Sequence, residues 1–128
     1  MNRLSILMHC VYYPPEIGGL ESHVANLCRA FVRLGHRVQL VTSRSQPQLA
    51  RFEVDEGGVE VHRCWLPARN TLGWSTHALA SLPVMHRLAT RADVVHAQDI
   101  ASVPPAWLAR RRSGAPLVTT WHTSHFLK

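Results

Sequence analysis

A chain of 128 residues, 46% hydrophobic and 17% charged, is long enough for one domain with its own core, and its composition excludes a disordered chain. No apolar run approaches the ~20 residues that cross a bilayer, and the short apolar opening meets Pro14-Pro15-Glu16 without a small-residue cleavage site, so it reads as a buried strand and not a signal peptide. A formal net charge of +6 and a pI of about 10.3 point to an anionic partner, while three scattered cysteines without a Cys-x-x-Cys pair fit buried thiols in a reducing, cytoplasmic compartment.

Taken in chain order, Leu4 to Val11 is a continuous apolar run of the kind buried on both faces of a sheet. The loop Tyr12 to Gly19 follows, then a helix from about Leu20 to Leu34, with Leu20, Val24, Leu27, Cys28 and Phe31 on one face and Gly35 as its stop. His36 to Ser43 is β-branched and predicts a second strand. Ser45 to Ala50 is a polar loop, Gly57-Gly58 a turn, and Val59 to Trp65 a short third strand. Leu72 to Arg91 is helical in pattern, with Pro83 expected to kink or split it. Ala92 to Asp99 predicts a fourth strand, Ile100 to Arg112 a helix with Pro104 and Pro105 in its first turn, and Ala115 to His122 a fifth strand.

Strands alternating with helices predict an α/β fold, a doubly wound parallel sheet of order 3-2-1-4-5. Ligands in such a sheet sit beyond the carboxyl ends of the strands. That rule selects Tyr12 to His23, Gln98 to Ser102 and His122 to His125. Gly18-Gly19 opens the first helix, where unpaired N–H groups and the helix dipole favour a phosphate. The stretch is neither Gly-x-Gly-x-x-Gly nor a Walker motif, so dinucleotide binding in the usual mode and P-loop phosphoryl transfer are not expected.

Nine histidines raise the question of a metal, with His122-x-x-His125 as the best pair. They scatter over separate elements and no His-Glu-x-x-His occurs, so no metal site is expected. His9 and His96 lie inside strand-like runs and read as core histidines, His36 as a turn residue, and His23 as a helix cap or packing residue. His122, in a Thr/Ser-rich loop at the end of the fifth strand, reads as functional. No Gly-x-Ser-x-Gly elbow is present. Arg110 to Arg112 reads as a solvated helix end, and the aromatic residues are not interleaved with basic ones, so nucleic acid is not an expected partner.

The string "YYPPEIGGLESHVANLCRAFVRLGHRVQLVTSR" resembles the opening of family 4 glycosyltransferases, retaining enzymes of the GT-B fold. "ADVVHAQD" is similar to that family's "DVVHAHD" strand, and "PLVTTWHTSHF" to its strand-five loop, so the resemblance runs over essentially the whole chain. It implies a Rossmann-like N-terminal half that binds the acceptor, facing a second half that binds a nucleotide sugar, with no cofactor and no catalytic metal. It implies donor diphosphate and sugar contact at Gly18 and Gly19, a catalytic role beside the transferred sugar at His122, and acceptor contact at Tyr12, Glu21, Asp99 and Thr123.

The family's paired glutamates are absent, and His96-Ala97-Gln98 stands where the family often has His-x-His. Relatives run to about twice or three times this length, that is, two domains. The expectation is therefore a domain lacking its donor-binding half and inactive by itself. With Trp65, Trp74 and Trp107, the basic balance also predicts an anionic membrane surface at the cytoplasmic face and a lipid-linked or polysaccharide acceptor. Two other readings are a non-catalytic binding module of the same fold and a GT-B-like sugar-nucleotide epimerase.

Overall fold

The apolar run after Leu4 forms β1 (Ser5–His9), the central strand of a computed structural model that describes residues 3–16 and 18–120. On one side β1 pairs in parallel with β2 (Arg37–Arg44), and on the other with β5 (Val94–Ala97). Further out, β4 (Glu60–Trp65) runs parallel to β2, and β6 (Leu117–Thr119) parallel to β5. These five strands stand in the order expected from the sequence.

A sixth strand was not foreseen. β3 (Phe52–Val54) pairs antiparallel with β4 and closes that edge, so the order is β3-β4-β2-β1-β5-β6. Its three residues are all exposed, and they leave no buried-strand signal. The turn back into β4 is built by Asp55, whose Oδ1 accepts from the N–H groups of Gly57 and Val59, while Gly58 takes a φ of 83°.

Alternation along β1 divides the core. Ile6 and Met8 face α1 (Gly19–Arg33), which buries Val24, Ala25 and Cys28 against them and against Val38, Leu40, Val59 and Val61. Leu7 faces the opposite way, toward Met85 and Ala89 of α2 (Thr71–Ala89) and Ala106 and Ala109 of α3 (Val103–Ser113). The sheet is thus covered by helices on both faces, the doubly wound arrangement.

Helix ends follow their residues. Gly35, at φ 95°, stops α1: its N–H bonds to the Val32 carbonyl and that of His36 to the Phe31 carbonyl, a Schellman closure. Asn70 caps α2 by accepting from the Gly73 N–H. Pro83 lies inside α2 without splitting it: its ring is exposed, and a stripe of His77, Ser81, Met85 and Ala89 buries both halves of the helix on one surface. A short 3₁₀ turn (Ile100–Ser102) precedes α3, and Pro104 and Pro105 occupy the first turn, where no N–H is needed.

Candidate functional site

Because β1, β2, β4, β5 and β6 are parallel, the segments leaving them gather at one edge of the sheet. That rim holds the loop after β1, the segment Ser45 to Ala50, the segment Leu66 to Asn70 and the residues from Gln98 onward. Side chains distant in sequence knit it together. The Trp74 indole N–H donates to Tyr12 Oη at 3.0 Å, and the Arg69 guanidinium lies 5.0 Å from the centre of the Tyr12 ring. Arg69 also pairs with Glu16 at 2.6 Å. Hydrogen bonds from Gln46 and Arg69 hold the Glu16 carboxyl below its ordinary range. Tyr13, buried, donates to Asp55 at 2.6 Å. The Pro14–Pro15 peptide bond is cis.

Gly18 and Gly19 sit at the start of α1, as the site reading requires. Gly18 is extended (φ 168°), so its backbone shape is open to any residue, but an added Cβ would lie 2.2 Å from Glu21 Oε2. Glu21, acidic and in the first helical turn, therefore folds its carboxylate back over Gly18. Gly19 is exposed, and a Cβ there would meet nothing within 4 Å among the described residues. The helix start is thus accessible at Gly19 and shielded by a carboxylate at Gly18.

Asp99 reaches the same rim and accepts hydrogen bonds there on both oxygens. Its Oδ1 accepts from Ser102 N–H at 2.8 Å, capping the 3₁₀ turn, and its Oδ2 accepts from Val11 N–H at 3.0 Å. Both oxygens are thus engaged in joining the exit of β5 to the exit of β1. His122 and Thr123 lie outside the described residues.

His9, fully buried, joins three elements. Ser81 Oγ donates to the Ala78 carbonyl, so it accepts from His9 Nε2–H at 2.9 Å. Ser102 Oγ then donates to His9 Nδ1 at 2.6 Å. The ring stands 5.4 Å from that of His77, whose Nδ1–H donates to the Trp65 carbonyl at 3.2 Å. Burial, and secondarily the nearby His77, lower the His9 pKa to about 3.

An unfolded His9 takes a proton near 6.5 whereas the folded one does not until about 3, so stability is complete above pH 6.5 and falls as pH drops through that window. For this group alone the loss between pH 7 and pH 5 comes to about 2 kcal/mol. Burial lowers His62, His77 and His96 as well, which adds in the same direction. Urea unfolding of His9→Gln should therefore show a shallower loss between pH 7 and pH 5 than the parent; an equal slope removes His9 from the acid response.

His96 Nε2 lies 2.6 Å from Thr120 Oγ1, and Gln98 is fully buried beside Met8 Sδ at 3.7 Å. Among the described residues, no three His, Cys, Asp or Glu side chains converge where a metal ion could sit. The rim offers backbone N–H groups, a carboxylate, aromatic rings and a guanidinium.

A family model described as the glycosyl transferase 4-like domain matches residues 18–128. The chain belongs to that family. An alpha-monoglucosyldiacylglycerol synthase of Acholeplasma laidlawii is 28% identical over 114 residues, covering 88% of this chain and 28% of that protein. The chain therefore spans well under a third of that curated relative. Among solved structures, sucrose-phosphate synthase from Thermosynechococcus elongatus superposes with a TM-score of 0.79 at 16% identity, covering 94% of this chain and 33% of that one. The glycotransferase of kitacinnamycin gives a TM-score of 0.68 at 23% identity, over 94% and 31%. At these identities the structural likeness speaks for the fold alone, a Rossmann-like α/β sheet shared with GT-B glycosyltransferases.

Proposed function

We propose that this domain is the acceptor-side half of a retaining glycosyltransferase that uses a nucleotide sugar as donor. The observation that carries the reading is the exposed Gly19 at the α1 start, on the rim of a glycosyl transferase 4-like domain, where no described residue lies within 4 Å of an added Cβ. In the reaction, the bond from the sugar's anomeric carbon to the diphosphate oxygen breaks and a bond to an acceptor oxygen forms on the same face. The acceptor's hydroxyl proton leaves with the diphosphate. The α1 start offsets part of the charge that develops on the leaving group, and basic groups of a donor-side half supply the rest.

His122 would steady the sugar, with Tyr12, Glu21 and Thr123 on the acceptor side. The geometry of Asp99 favours holding the rim over touching the acceptor. A lipid acceptor is favoured by the name of the Acholeplasma relative and by the exposed Trp65, Leu72, Trp107 and Leu108 beside a net charge of +6. Among the described residues no helix is long and apolar enough to cross a membrane, so the proposed attachment is peripheral, on the cytoplasmic face. The reading includes no cofactor and no catalytic metal.

The test joins this domain to a donor-side half in one protein and supplies nucleotide sugars with diacylglycerol-type acceptors, following the anomeric configuration by NMR. A product with retained configuration supports the reading. Epimerised donor in the absence of acceptor overturns it in favour of an epimerase, and donor left unchanged with every acceptor favours a binding module.

A further inference from the structure

A concavity that reaches the rim at Ser45, Pro47 and Leu66 is lined by none of Tyr12, Gly18, Gly19, Glu21 or Asp99. It opens between α2 and the β3–β4 edge and has a volume of about 750 Å³. Arg44, Arg51, Arg63 and Arg87 all line it, and among the described residues no acidic side chain does.

Two of these arginines are committed to the fold. Arg63, its side chain 3% exposed, pairs with Glu53 at 2.7 Å and donates to the Ala50 carbonyl. Arg44 donates to the carbonyls of Leu49 at 2.8 Å and Pro47 at 2.7 Å, which shapes the loop after β2. Arg51 and Arg87 are exposed and have neither an ion pair nor a side-chain hydrogen bond among the described residues. Like charges gathered around one concavity raise its potential, which favours a bound anion.

The third polar group on this wall is His62. Its ring packs on Phe52 at 4.8 Å, and its Nε2 is buried with no partner among the described residues. Burial, and then the neighbouring Arg87, lower its pKa, so it stands neutral at pH 7. A neutral imidazole can donate to or accept from a ligand without adding charge. Trp65, 64% exposed, supplies a broad apolar surface at the end of β4.

The chemistry selects the ligand. Guanidinium groups match phosphate oxygens in charge and in planar, forked geometry. Two unpaired cations match the charge of about −2 on a phosphomonoester at pH 7, where a carboxylate or a phosphodiester carries only one. We infer that this cavity binds a phosphomonoester, held by Arg51 and Arg87, with its carbon body against Trp65. A soluble sugar phosphate and a phosphatidic-acid-type headgroup share that chemistry. The inference stands apart from the transferase reading, because binding is measured at equilibrium with no donor and no turnover.

The test is calorimetric titration of the protein with glucose 6-phosphate, alongside flotation with phosphatidylcholine vesicles made with and without phosphatidic acid. Saturable binding of glucose 6-phosphate supports a soluble ligand; binding confined to the phosphatidic acid vesicles supports a headgroup. In either case the Arg51→Gln/Arg87→Gln double variant should bind at least about tenfold more weakly, the effect of losing charge-assisted hydrogen bonds. Both side chains are exposed and unbonded, so its thermal midpoint should match the parent's. A control, Arg33→Gln/Arg91→Gln, removes equal charge from exposed positions elsewhere and should leave affinity unchanged. Binding of neither probe, or equal weakening in the cavity variant and the control, overturns the inference.

Discussion

Asp99→Ala is expected to destabilise the fold by about 2–4 kcal/mol, which makes this residue a brace at the rim. The estimate has two parts. Losing Oδ1 removes the cap on the 3₁₀ turn, typically about 1 kcal/mol. Losing Oδ2 strands the Val11 N–H, and Val11 is only 5% exposed, so desolvation adds about 1–3 kcal/mol. Asp99→Asn keeps one acceptor oxygen but turns an amide NH₂ toward the other donor, so it should recover only part of the loss. Urea unfolding at pH 7 reads all three proteins. A loss under about 1 kcal/mol, with weakened acceptor binding, would restore Asp99 to acceptor contact.

What the residues announced in advance was whatever depends on local periodicity. Continuous apolar runs at Leu4 to Val11 and Ala92 to Asp99 became β1 and β5, and alternating strands and helices predicted the order of the five parallel strands. Gly35 and the Pro104-Pro105 pair marked helix ends because φ and a missing N–H are properties of a single residue. β3 was invisible because burial is the signal and β3 has none; its place comes from the Asp55 turn and from Glu53 meeting Arg63. Pro83 misled for the opposite reason. The local penalty was read correctly, but the buried stripe on α2 outweighs it.

The rim was legible as a place but not as a network. Tyr12 meets Trp74 across 62 positions, Asp99 meets Val11 across 88, and His9 meets Ser102 across 93. No spacing rule reaches that far. The resemblance to the family supplied residues, while the fold supplied their partners. Asp99 braces the exits of β1 and β5, and the Glu21 carboxylate lies over Gly18. On the proposed reading, a diphosphate at Gly18 would meet that carboxylate first, so its approach is expected at Gly19 or after a swing of Glu21.

Gly19→Val puts this geometry to its sharpest trial. No described residue lies within 4 Å of a Cβ added at this position, so the domain should fold with a nearly unchanged thermal midpoint. Valine at the first helical turn also loses no native hydrogen bond, and its helix propensity is no worse than that of glycine. Yet two branched methyl groups would stand where a diphosphate must come within hydrogen-bond distance of the α1 N–H groups. Displacing the leaving group by about 1 Å is enough for a loss of about 100-fold in turnover, and Gly19→Val should show at least that in the protein carrying both halves. Gly18→Ala should do less, since the described atoms nearest its new methyl are the carboxylate end of the Glu21 side chain. Reversed ranking of the two variants would place the diphosphate at Gly18, and unchanged turnover in both would remove the α1 start from the donor site.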